Sequence, residues 1–366
     1  MLQQLSSLMT ATMSTACIFG IITNLLSLVI FTRPTFRKRS INMLLAALSA
    51  SDLAVCLLGV PVYASAQTQN FIPVYAAATI MVYAYPVTIM FQSISVWLLV
   101  SIAVDRYLAV CHPFMVNVYC TRRRAKATIF LIVMFSVAYN FVRFWEFRLK
   151  SDGGAVSVEN IVVPLLREDP VFMLWYQNLA TLLTQFLLPL VVLCVLNLQV
   201  ARTLLLASEQ RRELVASERR EHSTAKMMMM VVVVFLFCYS FSFVLNVAEI
   251  YWKHMFQSEF GFFLNDVNNV LVIINSCSAF IFYYKFSTRF RKQAAALYGI
   301  KSLMKTASFR GVRGEQRESR SSSPRLENST VLDVRKFESS PPKLSTSLVR
   351  LQSRWYGGRQ KDRTHV

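Results

Sequence analysis

Long apolar runs, separated by short clusters of charge, divide the first 285 residues of this chain into seven stretches, at about 14–32, 42–64, 75–107, 126–144, 176–205, 225–252 and 262–284. Each meets the roughly 20 mostly apolar residues that a helix needs to cross a hydrocarbon core of about 30 Å. The third and fifth overrun that length, as tilted or extended helices do. From Lys285 onward no run is long and apolar enough to span. The pattern predicts an all-α membrane protein, a seven-transmembrane helix bundle. Immediately after it, Phe-Ser-Thr-Arg-Phe-Arg-Lys at 286–292 mixes apolar and basic residues at helical spacing, which predicts a short amphipathic eighth helix on the inner leaflet. The expected organisation is a short extracellular segment over 1–13, the bundle and its inner-leaflet helix over 14–297, and a tail over 298–366. That tail turns to Ser, Arg, Pro and Gly, buries little, and is expected to be disordered.

Composition sharpens this reading. The 366 residues are 54% hydrophobic and 16% charged, where a soluble domain sits near 45–50% apolar and about 25% charged. A net charge of +19 raises the question of nucleic acid, but the distribution answers it. With the amino terminus outside, 34 of the 39 Lys and Arg fall on the inner side and none in the first 17 residues. Positive charge stays on the cytoplasmic side during insertion, so the carboxyl terminus is expected inside. The 19 Lys and Arg from Lys285 on, against 6 acids, are expected to be drawn to anionic membrane lipid; a solvated tail with no specific partner fits equally well. No cleavable signal peptide is evident, since the run over 14–31 is long enough to remain as an anchor. The seven cysteines all fall in or beside spans and none in the outer loop over 145–175, so no outer-loop disulfide is expected. None follows Cys277, which leaves palmitate no attachment near the eighth helix. The sequon at Asn328 is expected to face the cytoplasm unmodified. Alternating charge over 202–226 suits solvated helix that continues spans five and six inward.

Charged residues inside a span are expensive and functional by default. Two acids sit well within spans, Asp52 near the middle of the second and Asp105 at the inner end of the third. Asp105 begins Asp-Arg-Tyr-Leu-Ala-Val-Cys-His-Pro at 105–113. This run, with Asn24, Asp52, Pro189 and Tyr283 each in the expected helix, resembles the rhodopsin-like (class A) G-protein-coupled receptors over roughly residues 14–297. The resemblance implies that Arg106 is held by Asp105 at rest and released to a heterotrimeric G protein on activation, with Tyr107 and Tyr283 in the same switch. It implies an ionic lock between Arg106 and Glu221, although Glu221 also reads as one more solvated charge. It further implies a sodium ion, as an allosteric modulator, among Asn24, Asp52, Ser95, Asn275 and Ser276, and no other cofactor. Departures are plain. The Asn-Pro pair expected before Tyr283 reads Ala279–Phe280, the sixth-helix Cys-Trp reads Cys238–Tyr239, and no proline occurs between Pro189 and Pro324, so helices six and seven lack the usual kink.

Three further segments narrow the ligand: Tyr-Pro-Val-Thr-Ile-Met-Phe-Gln-Ser-Ile-Ser-Val-Trp at 85–97, Tyr-Asn-Phe-Val-Arg-Phe-Trp-Glu at 139–146 and Leu-Asn-Val-Ala-Glu at 245–249. Together they resemble the invertebrate FMRFamide-type neuropeptide receptors, including those of nematodes. Peptides ending in arginine and an amidated phenylalanine need an acid and an aromatic slot. The expected outer surface holds 8 acids against 5 bases, a mild attraction for such a cation. Glu146, Glu249 or Asp266 is expected to pair with the ligand arginine, and Tyr85, Gln92, Trp145 and Tyr239 to line the slot. Trp145 reads equally as an interfacial anchor, and Glu146 as a partner for Arg143 or Arg148. The ending Thr364–His365–Val366 fits the motif that PDZ domains bind by strand addition. Serines 319 and 321–323, set among arginines, fit kinase substrates that recruit arrestin-like partners. Other readings stay open: a class A receptor for a different peptide, or a diverged receptor that signals weakly. A transporter or channel would want substrate-binding acids or broken helices at the midplane, often in repeated halves; no such repeat is found, and Asp52 is the sole midplane acid. Four histidines, none at metal-ligand spacing, and no nucleophile–base pair argue against an enzyme.

Overall fold

The computed structural model describes residues 2–34, 36–37, 39–67, 73–150, 161–210, 216–256 and 258–297, all within one compact unit. The tail features, including Thr364, Val366, Asn328 and serines 319–323, lie outside the described residues. Seven helices are long and apolar enough to cross a membrane. They are α1 (Leu2–Thr32), α2 (Ser40–Gln67), α3 (Val74–Cys111), α4 (Arg122–Asn140, continued by a 3-10 turn over Phe141–Trp145), α5 (Leu188–Gln210), α6 (Ala216–Tyr251) and α7 (Glu259–Phe286). The fifth span does not start as an α-helix. Two π-helical stretches, Phe172–Ala180 and Leu182–Leu187, lead into α5. The first helix starts well before the expected boundary at 14, because the polar residues of its opening turns are serines, threonines and glutamines that a helix tolerates.

After α7 the chain turns at Ser287 into α8 (Thr288–Leu297). Phe290 and Ala294 of α8 are buried while Arg291 and Lys292 are exposed, which is the expected amphipathic division. Phe290 seats against Phe31 of α1 and Tyr283 of α7, with ring centroids 5.4 and 5.7 Å away. Between α4 and the fifth span, β1 (Phe147–Leu149) and β2 (Val162–Pro164) pair antiparallel, with Arg148 opposite Val163. This two-stranded ribbon caps the bundle at the end opposite Arg106. All seven cysteines are free thiols.

Three apolar clusters hold the helices. One gathers every helix but α5 around Phe31, Leu45, Leu98 and Tyr283. A second joins α3, α5 and α6 through Leu99, Leu193, Phe235 and Tyr239. The third is small: Met13, Cys17, Cys56, Ile273 and Cys277 where α1, α2 and α7 meet. Large apolar side chains also cover the outside, for example Phe130, Leu131, Val191, Val195 and Phe237. Such a surface suits lipid, in which only helices and closed barrels satisfy the backbone. Prolines sit inside α2 (Pro61) and α3 (Pro86). Neither α6 nor α7 contains one.

Candidate functional site

At the Arg106 end, α3 carries Asp105 and Arg106 inward, both buried. The Arg106 guanidinium donates to Asp105 Oδ2 at 2.7 Å. The other carboxylate oxygen accepts from Ser40 Oγ at 2.9 Å, so the first turn of α2 shares in holding the acid. Ser40 is not evident from sequence because it lies 65 residues away in the chain. Tyr107 stands apart, its hydroxyl 2.9 Å from His112 Nε2. Glu221 falls on α6, but its side chain lies outside those described. Tyr283 is buried under Phe31 and Phe290, and its hydroxyl has no hydrogen-bond partner among the described residues.

Midway along the bundle, Asp52 is buried. Ser95 Oγ donates to Asp52 Oδ1 at 2.7 Å, and Ser276 also hydrogen-bonds the carboxylate. Asn24 is turned aside and donates to the Ser276 carbonyl at 3.0 Å. A cavity of about 20 Å³ lies beside this group, lined by Asp52, Ser95 and Asn275 together with apolar residues such as Val231 and Phe235. Asn275 Oδ1 is buried and has no hydrogen-bond partner among the described residues. Four of the five expected residues therefore converge, and Asn24 supports them from behind.

At the other end the expected ligand residues fall into separate groups. Gln92 on α3 donates to the Tyr239 hydroxyl on α6 at 3.3 Å, and Tyr239 stacks on Phe235 with centroids 4.4 Å apart. Glu249 and Asp266 are both partly buried, on α6 and α7. Nearby, Ser242 of α6 donates to Asn268 Oδ1 of α7. Trp145 faces outward, 48% exposed, edge-on to Phe141 at 5.3 Å, as an interfacial anchor would.

Glu146 takes the second of its two expected roles, as the partner of Arg143. It is 0% exposed, and its Oε1 accepts from the buried Arg143 at 2.7 Å. Local geometry explains the pairing. The chain over Phe141–Trp145 is a 3-10 turn, in which residues three apart eclipse one another. Asn140, Arg143 and Glu146 therefore form one column. Arg143 Nε donates to Asn140 Oδ1 at 3.1 Å, and Asn140 in turn donates to Ser93 of α3 at 2.9 Å. Across to the fifth span, Arg143 donates to Gln177 Oε1 at 2.8 Å and Thr181 Oγ1 at 3.3 Å. Its guanidinium also lies 5.3 Å from the Tyr176 ring centroid and within electrostatic range of Tyr85. Counting Arg143 among the outer-loop bases is incorrect, since it is buried inside the bundle. The i, i+3 spacing of Asn140, Arg143 and Glu146 is the one signal in the sequence that marks the column.

A family model described as the 7 transmembrane receptor (rhodopsin family) matches residues 23–283. The chain belongs to this family. The receptor is similar to the FMRFamide peptide receptor frpr-18 of Caenorhabditis elegans, at 33% identity over 286 residues, covering 75% of this chain and 65% of that one. It is similar to the FMRFamide receptor of Drosophila melanogaster at 30% identity over 286 residues, covering 75% of this chain and 51% of that one. Neuromedin-U receptor 2 of Mus musculus matches at 26% identity over 299 residues, covering 75% and 71%. The receptor thus spans between half and two thirds of the length of the two FMRFamide receptors.

Proposed function

We propose that this rhodopsin-family receptor binds an RFamide-type neuropeptide on the outer side of the plasma membrane and signals through a heterotrimeric G protein. The observation that carries this reading is similarity to two FMRFamide receptors across 75% of the chain, joined to a buried Asp105–Arg106 pair at the opposite end of the bundle from the ribbon. In this reading residues 1–13 lie outside, 14–297 form the membrane body, and 298–366 lie in the cytoplasm. The charge asymmetry supports that orientation.

Of the three acids weighed for the ligand arginine, Glu146 is already paired with Arg143. Glu249 on α6 is the acid we assign to the peptide, with Gln92 and Tyr239 as the floor of the slot. The Gln92–Tyr239 bond joins α3 to α6, so a ligand that displaces it releases α6 from α3. Without proline, α6 then tilts as one rod rather than bending at a kink. At the far end the Asp105–Arg106 pair opens, and Arg106, Tyr107 and Tyr283 become the G-protein contact; Glu221 restrains Arg106 at rest. Around Asp52, one carboxylate, two hydroxyls and the unpartnered Asn275 oxygen make an all-oxygen donor set of the kind hard cations prefer. The residues fit a sodium ion that stabilises the resting arrangement. Phosphorylation at serines 319 and 321–323 would bring arrestin, and Thr364 with Val366 a PDZ-domain protein.

The test is a calcium or cAMP response in cells expressing the chain, challenged with RFamide peptides and their free acids, alongside Arg106→Ala. The expected result is a dose-dependent response that requires the amide and is lost in the variant. Silence across the panel, with receptor at the cell surface, would remove the RFamide assignment; an intact response from Arg106→Ala would remove its coupling role. In the same assay Ser40→Ala is expected to raise basal signalling several-fold. A hydrogen bond to a charged group contributes about 1.5–3 kcal/mol, and here it helps hold Asp105 in the resting pair. Unchanged basal signalling would dismiss Ser40 from the switch.

A further inference from the structure

The winding of the fifth span is unusual. π-Helix is rare and usually lasts a single turn, yet here it runs for 9 residues and then 6 more. One side-chain bond agrees with the wide winding: Thr181 Oγ1 donates to the carbonyl of Tyr176, five residues back, at 2.9 Å.

Something must hold this register, and one side chain touches it at three places. Arg143 reaches Tyr176 by its guanidinium face, and Gln177 and Thr181 by hydrogen bonds. In an α-helix residues five apart point about 140° away from each other. The wider i→i+5 turn brings them closer together, so the π register moves Tyr176 toward the face on which Gln177 and Thr181, four apart, already meet the guanidinium. The Tyr176 hydroxyl adds a further tie, donating to the Tyr139 carbonyl of α4 at 2.7 Å. Within the same stretch Asn178 Oδ1 and Gln185 Nε2 are buried with no hydrogen-bond partner among the described residues. Phe186, the next residue, stacks on Phe243 of α6 at 4.7 Å. A change of register above Thr181 would therefore turn Gln177 and Asn178 relative to Gln185 and Phe186.

We propose that Arg143 is a positioning residue: anchored on Glu146, it holds the start of the fifth span in i→i+5 register and thereby decides which of its polar side chains face the bound peptide. The effect on peptide recognition rests on the function proposed above, whereas the effect on register does not. Arg143 itself does not touch the ligand. Its replacement relaxes the span toward α register, turns Gln177 and Asn178 relative to Gln185 and weakens peptide binding without altering the G-protein end.

The experiment uses the full chain in lipid nanodiscs and compares cryo-electron microscopy maps, without peptide, of the wild type and Arg143→Gln. The expected result is i→i+5 backbone bonding over Phe172–Ala180 and Leu182–Leu187 in the wild type, and a helix rewound toward 3.6 residues per turn in the variant. Should Arg143→Gln fail to reach the membrane, the Gln177→Leu, Thr181→Val double variant carries the same prediction, because it leaves the Arg143–Glu146 pair whole. In parallel, the synthetic peptide Phe-Met-Arg-Phe-amide is titrated on cells with matched surface expression. The double variant is expected to need about tenfold more peptide while reaching the same maximum, and Arg143→Lys to fall between it and the wild type. A π register that survives both variants, or a wild type that is α-helical here, overturns the proposal. A changed register with unchanged potency overturns the link to recognition. Silence from every variant and the wild type tells against the RFamide reading, while the maps still decide the register.

Discussion

Replacing Arg143 with alanine is expected to destabilise the receptor by about 3–5 kcal/mol, because it leaves a buried carboxylate without its countercharge. Glu146 is 0% exposed and its second oxygen, Oε2, already has no hydrogen-bond partner among the described residues. The alanine variant thus strips the remaining oxygen as well, together with the bonds to Asn140, Gln177 and Thr181. Thermal inactivation of the detergent-solubilised receptor, followed by size-exclusion fluorescence, measures the loss. The sign of a second variant separates charge from shape. Arg143→Met with Glu146→Leu removes both charges at similar volume, and such replacements are commonly neutral or stabilising. The double variant is expected to recover most of the lost stability. If Arg143→Ala inactivates at the same temperature as the wild type, the pair is not held in a dry interior and the end of α4 does not depend on it.

That pair also shows where the sequence is readable and where it is not. The expected spans fall within a few residues of most of the observed helix ends, because a run of about 20 apolar residues has few alternatives in lipid. The column of Asn140, Arg143 and Glu146 carries its spacing in the sequence, but its burial does not show there. A charge at the edge of an apolar run reads as a loop residue unless its partner is already known. Removing Arg143 and Glu146 together from the outer surface takes away one charge of each sign, so the mild excess of acid there is unchanged. The π stretches are hidden for another reason. Gln177, Thr181, Thr184 and Gln185 recur at gaps of four, three and one, a spacing that reads as ordinary α-helix. The short ribbon of β1 and β2 has three residues in each strand, too few to alternate visibly. Around Asp52 the sequence is more explicit. Ser95, Asn275 and Ser276 all stand at motif positions; Asn24 instead bonds the Ser276 carbonyl, and neither of those two lines the cavity.

Valine at position 20 is expected to cost about 3 kcal/mol, the upper part of the range for overpacking a filled interior. Gly20 stands where α1 meets α2 and α7. A Cβ there would lie 2.5 Å from Cys56 Sγ and 2.6 Å from Cys277 Sγ, both far inside van der Waals contact. Neither sulfur has room to retreat, since Cys56 and Cys277 are themselves buried with Cys17, Met13 and Ile273, and Cys277 Sγ donates to the Ala16 carbonyl at 3.2 Å. The helices must separate instead. One turn along α1, Asn24 bonds the Ser276 carbonyl, and Ser276 bonds Asp52, so separation at Gly20 opens the group proposed to hold sodium. The Gly20→Val receptor is therefore expected to lose both thermal stability and the protection that sodium chloride gives over potassium chloride in a thermal inactivation assay. Cys56→Ala placed beside Gly20→Ala removes one of the two sulfurs and is expected to restore part of the stability lost by Gly20→Ala alone. Failure of that rescue would mean the clash lies with Cys277 alone, and α1 would then be held by α7 rather than wedged between two neighbours. A Gly20→Val receptor as stable as the wild type would show that α1 stands further from both helices than the two sulfur distances require.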